Sequence, residues 1–176
     1  MSVHPLVSPF VRPLLHPRFR PLLRHAIPTL AALSLLAASY ADAATAHLPP
    51  ATDIAAQSAA AAKRGEPLVV LVSLPGCTYC EAVRRNYLAP QVAAGEIDAR
   101  EIDMTADTPV RDADGSMTTA RQWARARNIS VAPTVLFLGR DGRNAASPLR
   151  GMQPDFYGAY LERAIDEARA KIAAPN

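Results

Sequence analysis

Hydrophobic positions along the chain form either continuous runs or a helical period, and each pattern predicts a different element. The apolar run Leu68–Leu74 predicts a strand buried on both faces, and Thr134–Leu138 predicts another. Ile97–Met104 alternates between apolar and polar residues and predicts a further strand. After Pro154, apolar residues recur about every 3.6 positions, which predicts a last helix opened by that proline. Its apolar positions are Phe156, Tyr160, Leu161, Ala164, Ile165, Ala168 and Ile172.

Capping and chain-breaking residues delimit two helices in the first half of the chain. An Ala-rich run is predicted to be helical, with Thr52 or Asp53 as its cap and Gly65 at its end. Pro75 and the glycine after it end the first buried strand. A second helix is predicted over Cys77–Leu88.

Turn signals organise the second half. Residues 104–117 are polar and rich in turn formers, and we interpret them as a loop. The spacing Thr119-x-x-Gln122 predicts a capping box that opens a short helix. Gly139–Gly142 predicts a hairpin turn, with a short partner strand at Pro148–Arg150. The resulting order, α-β-α-β-α-β-β-α, predicts a central mixed sheet flanked by helices on both faces.

The first 43 residues differ in composition from the rest. Residues 1–26 contain four arginines and no acidic residue, an apolar stretch follows at Ile27–Ala41, and Ala41-Asp42-Ala43 has the form of a cleavage site. This pattern predicts a cleaved signal peptide over residues 1–43, an extended tail over 44–52 and a folded domain over 53–176. The apolar stretch is shorter than the roughly 20 residues of a membrane span, so an uncleaved anchor is the weaker alternative.

The net charge of the chain is different once the predicted signal peptide is removed. The whole chain has 19 basic and 16 acidic side chains and a net charge of +3. Four arginines and Asp42 belong to residues 1–43, so 15 of each sign remain in the mature chain. A near-neutral domain lacks the basic footprint of a nucleic-acid-binding protein. We therefore expect no nucleic-acid partner.

Both cysteines of the chain lie in PGCTYCEA, residues 75–82, at the junction of the first strand and its helix. Cys77 is expected at the start of that helix, where unpaired backbone N–H groups and the helix dipole favour the thiolate. Cys80 lies one turn further on nearly the same side, so the pair can close without backbone movement. Cys77 can then attack a substrate disulfide, and Cys80 can release the reduced product.

A proline before the third strand supports this chemistry. Ala132-Pro133 directly precedes Thr134–Leu138, and a cis peptide there would form a tight turn beside the cysteines. The backbone of Ala132 would then offer hydrogen bonds to an extended substrate. A proline that merely begins the strand in trans is the plainer alternative. Thr78 and Tyr79, between the cysteines, are expected to contribute to the substrate-binding surface.

From about Glu66 to Ile172 the chain resembles periplasmic thioredoxin-like proteins, notably the C-terminal domain of DsbD and SoxW-type proteins. The matching stretches are CTYC, YLAPQV, IDMTAD, NISVAPTVLFLGRDG and the glycine at 151. The resemblance implies an α/β thioredoxin-like fold and a periplasmic thiol–disulfide oxidoreductase. It implies Cys77 as nucleophile, Cys80 as resolving thiol, and a docking turn at Ala132 and Pro133.

The same resemblance implies the partners. They are disulfides and thiols of exported proteins, and a membrane electron donor of the DsbD or CcdA kind. The redox-active disulfide is itself the reactive group, so no separate cofactor is expected. Isomerases of this fold add a dimerisation domain, for which this chain has no room, and we expect a monomer.

The sequence departs from the family pattern beside the cysteines. Gly76 stands where thioredoxins carry tryptophan, and Leu71 where they carry a buried acid that assists proton transfer. Glu81 is the candidate replacement for that acid, although such a glutamate is ordinarily a solvated helix residue. Arg84 and Arg85 are interpreted as part of a solvated helix face.

Other uses of the two cysteines remain open. Thr78-Tyr79 contains no histidine of the kind that stabilises strongly oxidising DsbA-type proteins, which favours a reductant. An oxidising or isomerising role is the alternative. Two thiolates could also carry copper. A structural zinc site needs four ligands, which the mature chain does not supply, so no such metal site is expected. A structural staple across so short a loop would contribute only about 2 kcal/mol.

Overall fold

The computed structural model describes residues 47–153 and 155–174. The signal peptide predicted over residues 1–43 therefore lies outside the described residues. The elements, in chain order, are α1 (Ile54–Lys63), β1 (Leu68–Ser73), α2 (Thr78–Val83), a π-helical turn (Arg84–Leu88), α3 (Ala89–Ala93), β2 (Asp98–Asp103), β3 (Pro109–Arg111), β4 (Met117–Thr119), α4 (Ala120–Ala126), β5 (Thr134–Leu138), β6 (Leu149–Arg150) and α5 (Tyr157–Ala173).

Four of the strands form a mixed sheet in the order β2-β1-β5-β6. Strands β1 and β2 are parallel, whereas β5 is antiparallel to both β1 and β6. Every residue of β1 and β5 is buried, as the continuous apolar runs predicted. The cysteine motif follows directly from the C-terminal end of β1, so the most deeply buried strand positions it.

Successive side chains of β1 point to opposite faces of the sheet and enter two separate hydrophobic cores. Val69 and Leu71 pack in the core that contains Leu161 of α5, together with residues of α2 and the π-helical turn. Val70 packs on the other face, where Ile54 of α1 and Trp123 of α4 are fully buried. Helices therefore cover both faces, and the predicted mixed-sheet architecture is confirmed.

The helix after the cysteines is longer than the sequence predicted. It was expected to end at Leu88, but it continues through the π-helical turn and α3 to Ala93. Pro90 lies in the first turn of α3, a position where its missing N–H needs no helical partner. The Ala89 amide donates to the Arg84 carbonyl, five residues back, so the wider turn carries the helix past the proline.

Residues 104–117 are not only loop, and that prediction was wrong. Strands β3 and β4 pair as an antiparallel hairpin, with Val110 opposite Thr118. The Val110 side chain is buried, which anchors a hairpin whose other residues are mostly exposed or half-buried. After it, the Thr119 hydroxyl accepts from the Gln122 amide at 3.3 Å and caps α4, as predicted.

The N-terminal segment of the described chain, residues 47–52, lies extended along the outer edge of β2. The Glu101 amide donates to the Pro49 carbonyl and the Ala51 amide to the Glu101 carbonyl, each at 2.9 Å. Leu48 and Ala51 are buried there. This segment thus extends the sheet beyond β2.

The first and last helices begin at different kinds of residue. Asp53, rather than Thr52, caps α1, because its carboxylate accepts from the Ala56 amide at 2.8 Å. Helix α5 begins at Tyr157, three residues after the predicted start at Pro154, which itself lies outside the described residues. Among the described residues, none of the helices combines the length and apolarity needed to cross a membrane.

Candidate active site

The turn between β1 and α2 places the first cysteine. Gly76 has a φ of +72°, a conformation that side-chain-bearing residues rarely adopt. The Cys77 amide donates to the Leu74 carbonyl at 3.4 Å, which closes the turn. At Gly76 this turn therefore has a backbone conformation that glycine adopts without strain.

Cys77 and Cys80 form a disulfide, with their Cα atoms 5.2 Å apart. Cys77 is the N-cap of α2, and its sulfur accepts from the Cys80 amide at 3.1 Å. The two cysteines differ in access: Cys77 is half-buried, whereas Cys80 is 1% exposed. A reactant from solvent can therefore meet Cys77 first.

The loop before β5 lies beside this turn. The Ala132–Pro133 peptide bond is cis. Val72 pairs with Thr134, so continuation of the antiparallel register places Pro133 next to Ser73, at the end of β1. The Pro133 carbonyl accepts from the Gly151 amide at 2.7 Å, whereas the amide and carbonyl of Ala132 have no hydrogen-bond partner within the described residues.

Exposed side chains lie around both the cysteine motif and the loop that contains Pro133. Tyr79, between the cysteines, is 61% exposed, and Thr78 is also exposed. Leu74 precedes the motif and Val131 precedes the cis proline, and both are exposed despite their apolar character. The end of the molecule that carries Cys77 therefore presents an apolar and aromatic surface.

A cavity of about 530 Å³ opens beside Cys77. Its charged lining residues are Glu81 and Arg84 from the helix and Glu101 and Asp103 from β2. The Arg84 guanidinium donates to both Glu101 carboxylate oxygens, from Nε at 2.8 Å and from Nη2 at 2.5 Å, and also contacts Glu81. The hydrogen bond to Glu101 raises the pKa of Arg84, although burial opposes that effect.

The family of the chain follows from these features together with its sequence. A family model described as a thioredoxin-like domain matches residues 54–164, more than half of the 176-residue chain. The chain belongs to the thioredoxin-like family. The thioredoxin-like fold expected from the sequence is thereby confirmed.

Solved thioredoxins resemble this thioredoxin-like domain. The oxidised form of mitochondrial thioredoxin 3 from Saccharomyces cerevisiae is 17% identical, with 68% of this chain and 94% of that chain covered and a TM-score of 0.45. The thioredoxin of Fasciola hepatica is 16% identical, with 69% and 99% covered and a TM-score of 0.47. Thioredoxin NaTrxh from Nicotiana alata is 16% identical, with 70% and 96% covered and a TM-score of 0.45. No match was found among curated proteins.

Sequence reasoning missed one residue of this thioredoxin-like site and misassigned another. Glu101 was not singled out, although its register partner on β1 is Leu71, where the expected acid is missing. No local sequence pattern marks Glu101, because its place beside the cysteines arises from the parallel pairing of β1 with β2. Arg84 was assigned to a solvated face, but its side chain is only 15% exposed. Arg85 is exposed, as predicted.

Glu81 lies in the cavity but is half-exposed and paired with Arg84. This position is compatible with both roles expected for Glu81, a proton-transfer group and a solvated helix residue. Within residues 47–153 and 155–174, no three histidine, cysteine or acidic side chains converge as a metal site would require. The thioredoxin-like domain thus brings together an accessible cysteine, an enclosed cysteine and a charged cavity. Beside them lies Ala132, whose backbone groups have no hydrogen-bond partner within the described residues.

Proposed function

We propose that this thioredoxin-like protein is a periplasmic thiol–disulfide oxidoreductase that reduces disulfides of exported proteins. The observation that carries the proposal is the asymmetric Cys77–Cys80 pair at a helix start, next to the turn at Ala132 and Pro133. An accessible sulfur can be attacked or can attack, whereas an enclosed sulfur reacts only within the molecule. Thiol–disulfide exchange needs that division of roles.

The reaction begins with the reduced protein. The Cys77 thiolate attacks one sulfur of the substrate disulfide, which forms a mixed disulfide and releases the other substrate sulfur as a thiolate that takes a proton from water. The Cys80 thiol then attacks the Cys77 sulfur, and its proton passes, by way of water, to the departing substrate sulfur. That step forms the protein disulfide and expels the second substrate thiol. Two electrons pass from the protein dithiol to the substrate.

Substrate is held beside the cysteines by backbone pairing in this mechanism. The unbonded amide and carbonyl of Ala132 can bind an extended segment as a short antiparallel strand. In this arrangement Thr78 and Tyr79 contact the other side of the bound segment, and the exposed ring of Tyr79 supplies apolar contact. Such contacts accept many sequences, since main-chain atoms provide most of the hydrogen bonding.

The charges beside Cys77 favour the reducing direction. Three carboxylates, from Glu81, Glu101 and Asp103, line the cavity against the single guanidinium of Arg84. Excess negative charge near a thiol opposes thiolate formation. A dithiol is a strong oxidant when its reduced form is stabilised, as thiolate formation does, so this environment favours a reductant.

The reduction potential of the Cys77–Cys80 pair tests the proposal. The protein is equilibrated with glutathione or dithiothreitol, and the dithiol fraction is measured by thiol alkylation. We expect a value near that of thioredoxin, about −270 mV. A value near −120 mV would overturn the reducing direction in favour of an oxidase. Failure to form a disulfide at any potential, with tight Cu(I) binding, would favour a copper carrier instead.

The cellular setting is part of the same proposal. The signal-like composition of residues 1–43 supports export, and the resemblance to DsbD and SoxW-type proteins supports a membrane electron donor of the DsbD or CcdA kind. In cells that export the protein, we expect Cys77 and Cys80 to be reduced, and to become oxidised when that donor is deleted. A pair that stays reduced in the deletion strain would argue against this donor.

A further inference from the structure

One ion-pair network lies between the cysteine-bearing helix and β2. Arg84 follows Cys80 by four residues, one helical turn, so both side chains lie on the same side of the helix. The Glu101 side chain is 18% exposed, and besides Arg84 it accepts a hydrogen bond at 2.5 Å from the Ser73 hydroxyl, four residues before Cys77. The network is thus built from both segments that hold the active-site turn.

The same network borders the reactive sulfur. Cys77, Ser73, Arg84 and Glu101 all line the cavity described above. The other charged groups that line it are Glu81 and Asp103, so Arg84 is the single cation among the described lining residues. Residues 131–133, next to the end of β1, bring no charged group, and the remaining titratable groups of the motif are the phenol of Tyr79 and the enclosed Cys80.

We propose that Arg84 is the charge-setting residue of Cys77, and that Glu101 and Ser73 position its guanidinium in the cavity. The Arg84 charge offsets the neighbouring carboxylates, so Cys77 can ionise despite them. Glu101 in turn limits how far Arg84 stabilises the thiolate. This inference rests on the proposed function in taking Cys77 as the nucleophile, and it assigns the control of that nucleophile's charge to three residues outside the CxxC motif.

Removing the Glu101 charge and removing the Arg84 charge must then shift the pKa of Cys77 in opposite directions. Glu101→Gln removes a carboxylate and leaves the Arg84 charge less compensated, which lowers the pKa of Cys77. Arg84→Gln leaves three carboxylates without a cation, which raises it. An ion pair that only joins helix to sheet has no reason to move the thiol pKa in opposite directions when either partner is removed.

The test is the pH dependence of Cys77 alkylation by iodoacetamide, measured in a Cys80→Ser background so that one thiol reacts. A shift of one pKa unit changes the thiolate fraction, and the rate below the pKa, about tenfold. At a pH below the Cys77 pKa, we expect Glu101→Gln to react at least about threefold faster than the parent and Arg84→Gln at least about threefold slower.

A matched control exists at the far end of β1. Arg169 and Glu66 form an Arg–Glu pair, Nε to Oε2 at 2.9 Å, just before that strand begins. Because β1 has six residues, about 20 Å of strand separates this pair from the cysteine turn. Glu66→Gln and Arg169→Gln are therefore expected to affect stability without changing the alkylation profile.

Two results would overturn the proposal. One is that both cavity variants shift the profile in the same direction, and the other is that their shifts do not exceed those of the control pair. If Arg84→Gln does not fold, Arg84→Met replaces it, because methionine also lacks the charge and is expected to slow alkylation in the same way. Arg84→Lys keeps the charge and should retain most of the parental profile. Alkylation requires neither a substrate nor a direction of electron flow, so this readout remains valid if the proposed reductase activity is absent.

Discussion

At the scale of single residues, the decisive feature is the unequal access of two sulfurs separated by only two residues. The N-cap position leaves Cys77 at the surface, while Cys80 is turned into the protein beneath it. Residue type cannot distinguish two cysteines, so their roles follow from position alone. The order of attack in the proposed reaction depends on this difference.

Replacement of the enclosed cysteine should trap substrates. In Cys80→Ser, the Cys77 thiolate still forms the mixed disulfide, but no resolving thiol remains to break it. We expect disulfide-linked complexes with exported proteins on non-reducing gels, and their loss on addition of dithiothreitol. Cys77→Ser is the matched control and should trap almost nothing. Equal trapping by both variants would contradict the assigned roles.

At the scale of elements, the β3–β4 hairpin is fastened to α4 by one carboxylate. Asp112, in the hairpin turn, accepts from Trp123 Nε1 at 3.1 Å and from Arg127 Nη2 at 2.6 Å. The Arg127 guanidinium also lies 3.9 Å from the centre of the Trp123 ring. Burial alone would raise the pKa of Asp112, but the hydrogen bond from Arg127, together with other contacts, lowers it below its usual value.

Asp112→Asn should therefore destabilise the fold in a pH-dependent way. A carboxylate whose folded pKa is lowered stabilises the fold above its unfolded pKa of about 3.9, and this contribution is lost as the pH falls through the folded value. We expect a loss of about 1–3 kcal/mol in the free energy of unfolding at pH 7, and a smaller loss at pH 3, by urea denaturation. Asp141→Asn, at a largely exposed carboxylate, serves as the control. A loss that is equal at both pH values would count against the charge of Asp112 as its cause.

Sequence patterns predicted the buried elements better than the half-exposed ones. β1 and β5 follow from continuous apolar runs, and Thr119 caps α4 as its spacing indicated. The β3–β4 hairpin was missed because each strand has three residues and only Val110 is buried. Such strands are stabilised by contacts distant in sequence, which no local period records.

The candidate site likewise contains residues that local sequence reveals and one that it does not. Cys77, Cys80 and Pro133 could be found from the motif and its distance to the proline, since both depend on local sequence. Glu101 could not, because its relation to the cysteines arises from the pairing of β2 with β1. A charged residue in an alternating strand is ordinarily taken as solvent-facing, and only the register shows that it meets Arg84.

At the scale of the whole molecule, the N-terminal segment is part of the fold. Residues 47–52 bond to β2 at Glu101, and Leu48 enters the core on the side of α5. The segment therefore covers the edge of the sheet that would otherwise carry unpaired backbone groups. It also holds the backbone of Glu101, whose side chain faces the cysteine cavity.

Detaching this segment should promote self-association. Leu48→Asp places a charge in a buried apolar position and is expected to release residues 47–52, which exposes the β2 edge to pairing with a second chain. We expect a concentration-dependent dimer by sedimentation velocity. His47→Asp, one residue earlier and exposed, is the matched control and should stay monomeric at the same concentrations. A monomeric Leu48→Asp protein that remains folded would contradict the covering role.

The covered edge also bears on how long the protein would hold a substrate in the proposed reaction. Unpaired strands of an incompletely folded protein can pair with an open sheet edge. Here one outer edge is occupied by residues 47–52, and the other is the two-residue β6. In the proposed reaction, backbone pairing with a substrate would therefore be directed to the turn at Ala132 and Pro133, and the covalent link to that substrate would end when Cys80 closes the disulfide. In the proposed reaction, the substrate would therefore be released in the same step that completes its reduction.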